Sequence, residues 1–167
     1  MNWLDLSGIT NTSKIFLRMK YNGDISQWDM SNIINMSSMF YGSSFNGDIS
    51  EWDVSNVESM ESLFSFSLFT GNISNWDVSS VMNMSQMFMS TKFNSDISKW
   101  DVSNVVNMSQ MFEDNNSFNQ DISRWDVSGV EDMQRMFEHS AFNRDISNWD
   151  ISNVTNMDNM FCYSSFN

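Results

Sequence analysis

The stretch WDVSNVVNMSQMF, residues 100–112, places apolar side chains at Trp100, Val102, Val105, Met108, Met111 and Phe112, with Asp, Ser, Asn and Gln between them. Nearly the same string recurs along the whole 167-residue chain. Tryptophans stand at Trp28, Trp52, Trp76, Trp100, Trp125 and Trp149, spaced by 24 residues with one interval of 25, and Leu4 fills the slot one period earlier. A fixed period of this length marks a repeat array. One unit cannot bury its own apolar face, so neighbouring units must stack to do it.

Two aromatic ladders keep the same step. One is Phe16, Phe40, Phe64, Phe88, Phe112, Phe137 and Phe161; the other is Tyr21, Phe45, Phe69, Phe93, Phe118, Phe142 and Phe166. The single extra residue lies between Phe112 and Phe118, and every ladder resumes in register after it. A stacked array absorbs such an insertion in a loop, whereas a coiled coil does not. The chain therefore reads as one repeat domain, residues 1–167, of seven units that begin near Leu4, Trp28, Trp52, Trp76, Trp100, Trp125 and Trp149, the last one incomplete.

Within a unit, Trp100 and Val102 are two apart, as on one face of a strand. Val105, Met108, Met111 and Phe112 step by three and four, which suits a short helix, with Ser103 at its N-cap and Ser55 with Glu58 as a capping box. The polar stretch after Phe112 returns the chain. These spacings predict an α/β solenoid of about seven 24–25-residue coils, each with a short strand and a short helix or 3-10 segment. The strands would lie in a parallel sheet about 4.8 Å apart.

At this level the string FNxDISxWDVSNVxNMSxMF resembles the BspA-like leucine-rich-repeat family, and more narrowly the repeat of unknown function in mycoplasma surface lipoproteins. The resemblance spans essentially the whole chain. It departs in the first unit, where Leu4 replaces Trp and Thr12 replaces Met. It implies a right-handed LRR-like solenoid with a concave parallel sheet, cell-surface or extracellular use, and an adhesion or protein-interaction role rather than catalysis.

Bulk charge narrows the partners. With 21 acidic and 8 basic residues the net charge is −13, which repels nucleic-acid phosphates and anionic membranes and favours cations or basic partners. No apolar run approaches the roughly 18 residues of a membrane span. The opening MNWLDLSGIT has neither a charged nor an apolar targeting region. Cys162 is the only cysteine, so an intrachain disulfide is excluded.

Candidate sites follow from the columns. Asp29, Asp53, Asp77, Asp101, Asp126 and Asp150, with Asp5 before them, each follow the Trp slot. Carboxylates about 4.8 Å apart repel by roughly 0.9 kcal/mol in water, and by roughly 3–4 kcal/mol at an effective dielectric near 20. Calcium is one way to relieve this. Hydrogen bonds from neighbouring Ser hydroxyls or amides are the simpler way, since no D-x-D-x-D-G loop is present. Asp24, Asp48, Asn72, Asp96, Asp121 and Asp145 form a second column, where Asn72 shows that charge is dispensable and an Asx turn suffices. Asn46, Asn94, Asn119 and Asn143 form a further turn ladder. The sequons at Asn83 and Asn107 coincide with repeat positions that carry Asn and Ser anyway.

The variable slot before Trp, comprising Gln27, Glu51, Asn75, Lys99, Arg124 and Asn148, is expected on an exposed face as the interaction surface. Another variable slot holds Ile34, Met82 and Val106 but also Glu58 and Glu131. His139 and Cys162 fall on adjacent units, yet a Cys–His nucleophile needs an oxyanion site and an orienting third group that the sequence does not supply. No catalytic residue and no cofactor is assigned. The first unit, with Lys14, Arg18 and Lys20, resembles a cap, while Trp149, Met160 and Phe161 lack a following coil. That arrangement suggests end-to-end assembly, or a longer array, as the alternative to a binding scaffold.

Overall fold

Most units are bent by three turns of one design. In Asp96-Ile97-Ser98-Lys99-Trp100, the Asp96 carboxylate accepts the Ser98 amide at 2.9 Å and the Trp100 amide donates to the Ile97 carbonyl at 3.2 Å. Asp101-Val102-Ser103-Asn104-Val105 repeats this with distances of 3.1 and 2.9 Å. Asn107-Met108-Ser109-Gln110-Met111 repeats it again with 2.8 and 3.2 Å. The common rule is Asp or Asn, apolar, Ser, any residue, apolar. An Asx side chain bonded two residues ahead fixes the bend, and in layers 2 to 6 the apolar second and fifth residues both turn inward.

The computed structural model describes residues 5–167; Leu4, the first Trp-slot residue, lies outside the described residues. We number the layers 1 to 7 as residues 5–27, 28–51, 52–75, 76–99, 100–124, 125–148 and 149–167. Parallel bridges join Asn11, Asn35, Ser59, Asn83, Asn107, Asp132 and Asn156 in a single column, one residue per layer.

This backbone corrects the expected α/β solenoid with a strand and a helix per coil. Among the described residues there is no helix, and strand pairing is confined to those isolated bridges, so neither the parallel sheet nor an LRR-like coil forms. The reason lies in where the amides point. In a helix the amides of Met108, Gln110 and Phe112 would bond four residues back. Here they donate to Asp132, Gln134 and Met136 of the next layer, at 2.9, 2.8 and 2.9 Å. The intervening amides of Met111, Glu113 and Asn115 close turns on Met108, Gln110 and Phe112. Gln110 and Asp114 are the third residues of two of these turns, and their φ values of 58° and 57° are of the kind a type II turn requires. Ser103 caps no helix; its amide and hydroxyl both donate to Asp101.

The three-residue step of the apolar slots is thus the step of linked turns. Two positive-φ columns run the length of the stack, two residues before and two after each first-ladder Phe. Among the described residues they hold thirteen non-glycine residues and Gly42. Each such residue costs on the order of 1 kcal/mol of backbone strain. In layers 1 to 6 each of these residues donates its amide to the next layer, which opposes that cost.

Between layers the interior is a set of ladders. First-ladder rings of successive layers are near-parallel at 5.4–5.9 Å, and Phe112 lies 3.9 Å from Phe118 of its own layer. Centroid separations of that size between parallel rings mean offset stacking along the column. Each indole N–H from Trp52 to Trp149 donates to the carbonyl of the Ile in the preceding turn column, as Trp100 Nε1 does to Ile73 at 3.1 Å. The Trp is thereby held by burial and by a cross-layer bond together.

Asn115 explains how layer 5 accommodates its extra residue. In layers 2, 3 and 6 a Ser three residues after the first-ladder Phe accepts the amide of the second-ladder Phe, for example Phe45 to Ser43 at 3.3 Å. In layer 5 the longer, fully buried Asn115 reaches one residue further and accepts both Ser117 and Phe118, at 3.0 and 2.9 Å. Its amide group donates to Thr91 and to the Phe93 carbonyl, each at 3.2 Å.

Candidate interaction face

Gln27, Glu51, Asn75, Lys99, Arg124 and Asn148 are all exposed. Each is the fourth residue of the five-residue turn that ends in Trp. The first residue of the same turn comes from the second acidic column, so Asp96 accompanies Lys99 and Asp121 accompanies Arg124. Between layers these pairs line a chain of shallow polar hollows. One of about 370 Å³ is bounded by Asp96, Lys99, Gln120, Asp121 and Arg124. A hollow of about 260 Å³ shares Asp96 and Lys99 with Asn72, and one of about 290 Å³ shares Asp121 with Arg144, Asp145 and Asn148. A continuous polar strip therefore runs across layers 3 to 6, with alternating charge in layers 4 to 6.

The acids of this strip stay ionised. Asp96, Asp121 and Asp145 lie below the ordinary carboxylate value, first because the amide of the Ser two residues on donates to each, then because of that Ser hydroxyl. Lys99 lowers Asp96 further, and Arg124 and Arg144 do the same for Asp121. Arg144 is also tethered by its Nε to the Asn119 carbonyl at 2.8 Å, and Gln120 to that of Asn94 at 2.9 Å. Both occupy the slot that holds Gly23, Gly47 and Gly71 in earlier layers. Reading only the pre-Trp slot misses them, although a change from Gly to Gln and Arg at a fixed repeat position is visible in the sequence.

The column after Trp is exposed and engaged locally. Asp29, Asp53, Asp77, Asp101 and Asp126 each accept the amide of the Ser two residues on at 3.0–3.1 Å and its hydroxyl at 2.6–2.7 Å. Asp150 accepts the Ser152 amide at 3.0 Å. Among the described residues no three His, Cys, Asp or Glu side chains converge as a metal site would require. The Asn ladder is a side chain-to-backbone relay: Asn46, Asn119 and Asn143 donate their amides to Asn22, Asn94 and Asn119 at 2.8–3.0 Å. Asn83 and Asn107 are half-buried, and their side chains cap Ser85 and Ser109.

His139 and Cys162 meet through backbone, the His139 amide donating to the Cys162 carbonyl at 2.9 Å, while the imidazole stacks on Tyr163 at 4.8 Å. Ile34, Met82 and Val106 are exposed, but Glu58 and Glu131 interrupt them. Among the described residues no helix is long and apolar enough to cross a membrane.

A stack of Asx-capped turns with a charged, variable strip on one flank defines a non-helical repeat protein. The chain belongs to the family described as Mycoplasma protein of unknown function, DUF285, which matches it over residues 1–90 and 65–167. Neither a curated protein nor a solved structure matches the chain.

Proposed function

We propose that this chain is a non-enzymatic surface or extracellular repeat protein that recognises a protein partner through the strip of Lys99, Arg124 and Arg144 alternating with Asp96, Asp121 and Asp145. The carrying observation is the contrast between a uniform interior and a variable flank. Repeat positions that face inward or cap turns are nearly constant, whereas the pre-Trp slot varies among neutral, acidic and basic residues without altering its turn. Alternating fixed charges orient an encounter and reject like-charged partners more than they add affinity. The likeness of the repeat string to BspA-like arrays supports a surface role. The test is surface plasmon resonance of the chain against a panel of purified extracellular-matrix proteins, with Lys99→Glu/Arg124→Glu beside the wild type. Loss of a salt-sensitive interaction at unchanged mass supports the strip; equal binding by both proteins refutes it.

A second reading, assembly of like units end to end, is favoured by one observation. The face of layer 7 presents Ile151, Met157 and Phe166, partly exposed, around an apolar hollow of about 350 Å³ with Trp149 and Phe161. Layers 2 to 6 bury the same slots against a following unit, so this face fits a unit of the same kind, of this chain or of another copy. Light-scattering mass against concentration, in EDTA and again in millimolar calcium, tests this reading. Growth in both conditions supports it, growth only in calcium assigns the assembly to metal on the Asp columns, and a constant mass refutes it.

A further inference from the structure

The repeat is broken in two places that face each other. In layer 3 the slots held by Gly42 and Ser90 in the adjoining layers carry Phe66, and those held by Ser44 and Lys92 carry Leu68. In layer 5 the extra residue widens the corresponding loop at Asn116 and Ser117. Between them, over Ser90 and Lys92 of layer 4, lies a hollow of about 530 Å³. It shares no residue with the charged strip, so the two sites stand or fall separately.

Phe66 and Leu68 are exposed to 48% and 66%. Phe66 also has a φ of 58°, and its ring meets Tyr41 only at a tilted 5.4 Å. In the other layers the Phe66 column carries Arg18, Gly42, Ser90, Asp114, His139 and Tyr163, and the Leu68 column carries Lys20, Ser44, Lys92, Ala141 and Ser165, so neither position requires an aromatic ring or a leucine for its turn. Insertions in repeat arrays collect on the face that binds.

We infer that this hollow binds a sugar ring of a glycan, with the apolar face of the ring on Phe66 and its hydroxyls on Asp114, Asn116 and Ser90. The lining chemistry selects this class. Phe66 and Leu68 form one apolar platform, and the remaining residues, among them Thr70, Lys92 and Ser117, are hydrogen-bonding groups. A peptide anchored by an apolar side chain needs an enclosed apolar slot, and here only one wall is apolar. Lys92 and Asp114 offset one another, which disfavours a bare anion or cation. A ligand with one apolar face and a rim of hydroxyls matches a ring-and-carboxylate site.

The repeat supplies its own controls. Phe66→Ser and Leu68→Lys install the residues that layer 4 carries in the same slots, and Ser90 already adopts a φ of 54° there. The experiment is saturation-transfer NMR with methyl glycosides of glucose, galactose, mannose and N-acetylglucosamine. It is paired with amide shift mapping, and N-acetyl-phenylalanine amide serves as the competing probe. The expected result is transfer to one face of at least one glycoside, shifts confined to residues 66–70, 90–92 and 114–117, and affinity reduced by roughly tenfold in the Phe66→Ser/Leu68→Lys variant. Its melting temperature should stay that of the wild type. Absence of transfer for all four glycosides, equal transfer in the variant, or stronger binding of the phenylalanine amide at these residues overturns the assignment.

Discussion

Replacing Asn115 by Ala removes the acceptor of two backbone amides and the donor to two oxygens, all at a fully buried position. The Ser117 amide belongs to a half-buried residue, which water can reach, so it contributes little. The Phe118 amide is buried, and an orphaned buried donor costs about 1–3 kcal/mol. The Phe93 carbonyl loses one bond as well, adding about 1 kcal/mol. The expected destabilisation is therefore roughly 2–4 kcal/mol, or about 5–15 °C in melting temperature for a chain of this size. The assay is thermal melting followed by tryptophan fluorescence and ellipticity, whose coincidence tests two-state behaviour. A second variant isolates the cause. Asn115→Ser combined with deletion of Asn116 restores the Ser-capped 24-residue layer and should melt within about 1 kcal/mol of the wild type, because it recreates the cap of layers 2, 3 and 6. A melt of Asn115→Ala within about 0.5 kcal/mol of the wild type would refute the reasoning. So would a double variant less stable than the Ala substitution.

Trp100→Phe deletes the bond to the Ile73 carbonyl while keeping most of the buried ring, and should cost roughly 1–3 kcal/mol in urea unfolding. Phe112→Ala opens a cavity among Phe88, Phe118 and Phe137 and should cost roughly 3–5 kcal/mol, with Phe112→Leu recovering much of the loss in the same assay. The turn carboxylates of Asp24, Asp48, Asp96, Asp121, Asp145 and Asp150, held low by Ser amides first, and of Asp29, Asp101 and Asp126, held low by Ser hydroxyls first, share one linkage sign. Their folded pKa is depressed, so their contribution is full above the ordinary carboxylate range and is lost as pH falls through the folded values. Melting temperature should be flat near neutrality and drop on acidification below about pH 4. Asp121→Asn, imitating Asn72 and its 3.0 Å bond to Ser74, should keep the turn at pH 7 and soften that drop.

Much of the interior was legible and most of the backbone was not. Ile97, Trp100, Val102, Val105, Met108, Met111 and Phe112 are each 4% exposed or less, because the requirement that every layer bury the same slots is written directly in the period. The helix reading failed on a step of three that linked turns and a short helix share. Positive φ, the feature that separates them, is normally signalled by Gly or Asn, whereas here Gln110, Arg135, His139 and Tyr163 adopt it. For Gln110, Arg135 and His139 the compensating bonds run to the next layer, which local propensity does not contain. A better signal was present: D-I-S-K-W, D-V-S-N-V and N-M-S-Q-M are one motif used up to three times per unit. It identifies the Asp columns as turn caps. On the candidate face, the exposure of the pre-Trp slot follows from its place at the turn tip, but the grouping of Lys99, Arg124 and Arg144 depends on the register between layers.

Alternate amides of residues 108–114 bond to the next layer. Scalar couplings through hydrogen bonds, measured by NMR on 15N,13C-labelled protein, test it most directly. Couplings from the amides of Met108, Gln110, Phe112 and Asp114 to the carbonyls of Asp132, Gln134, Met136 and Glu138 are predicted. Couplings from Met111 and Phe112 to carbonyls four residues back would mean a helix, and would contradict it.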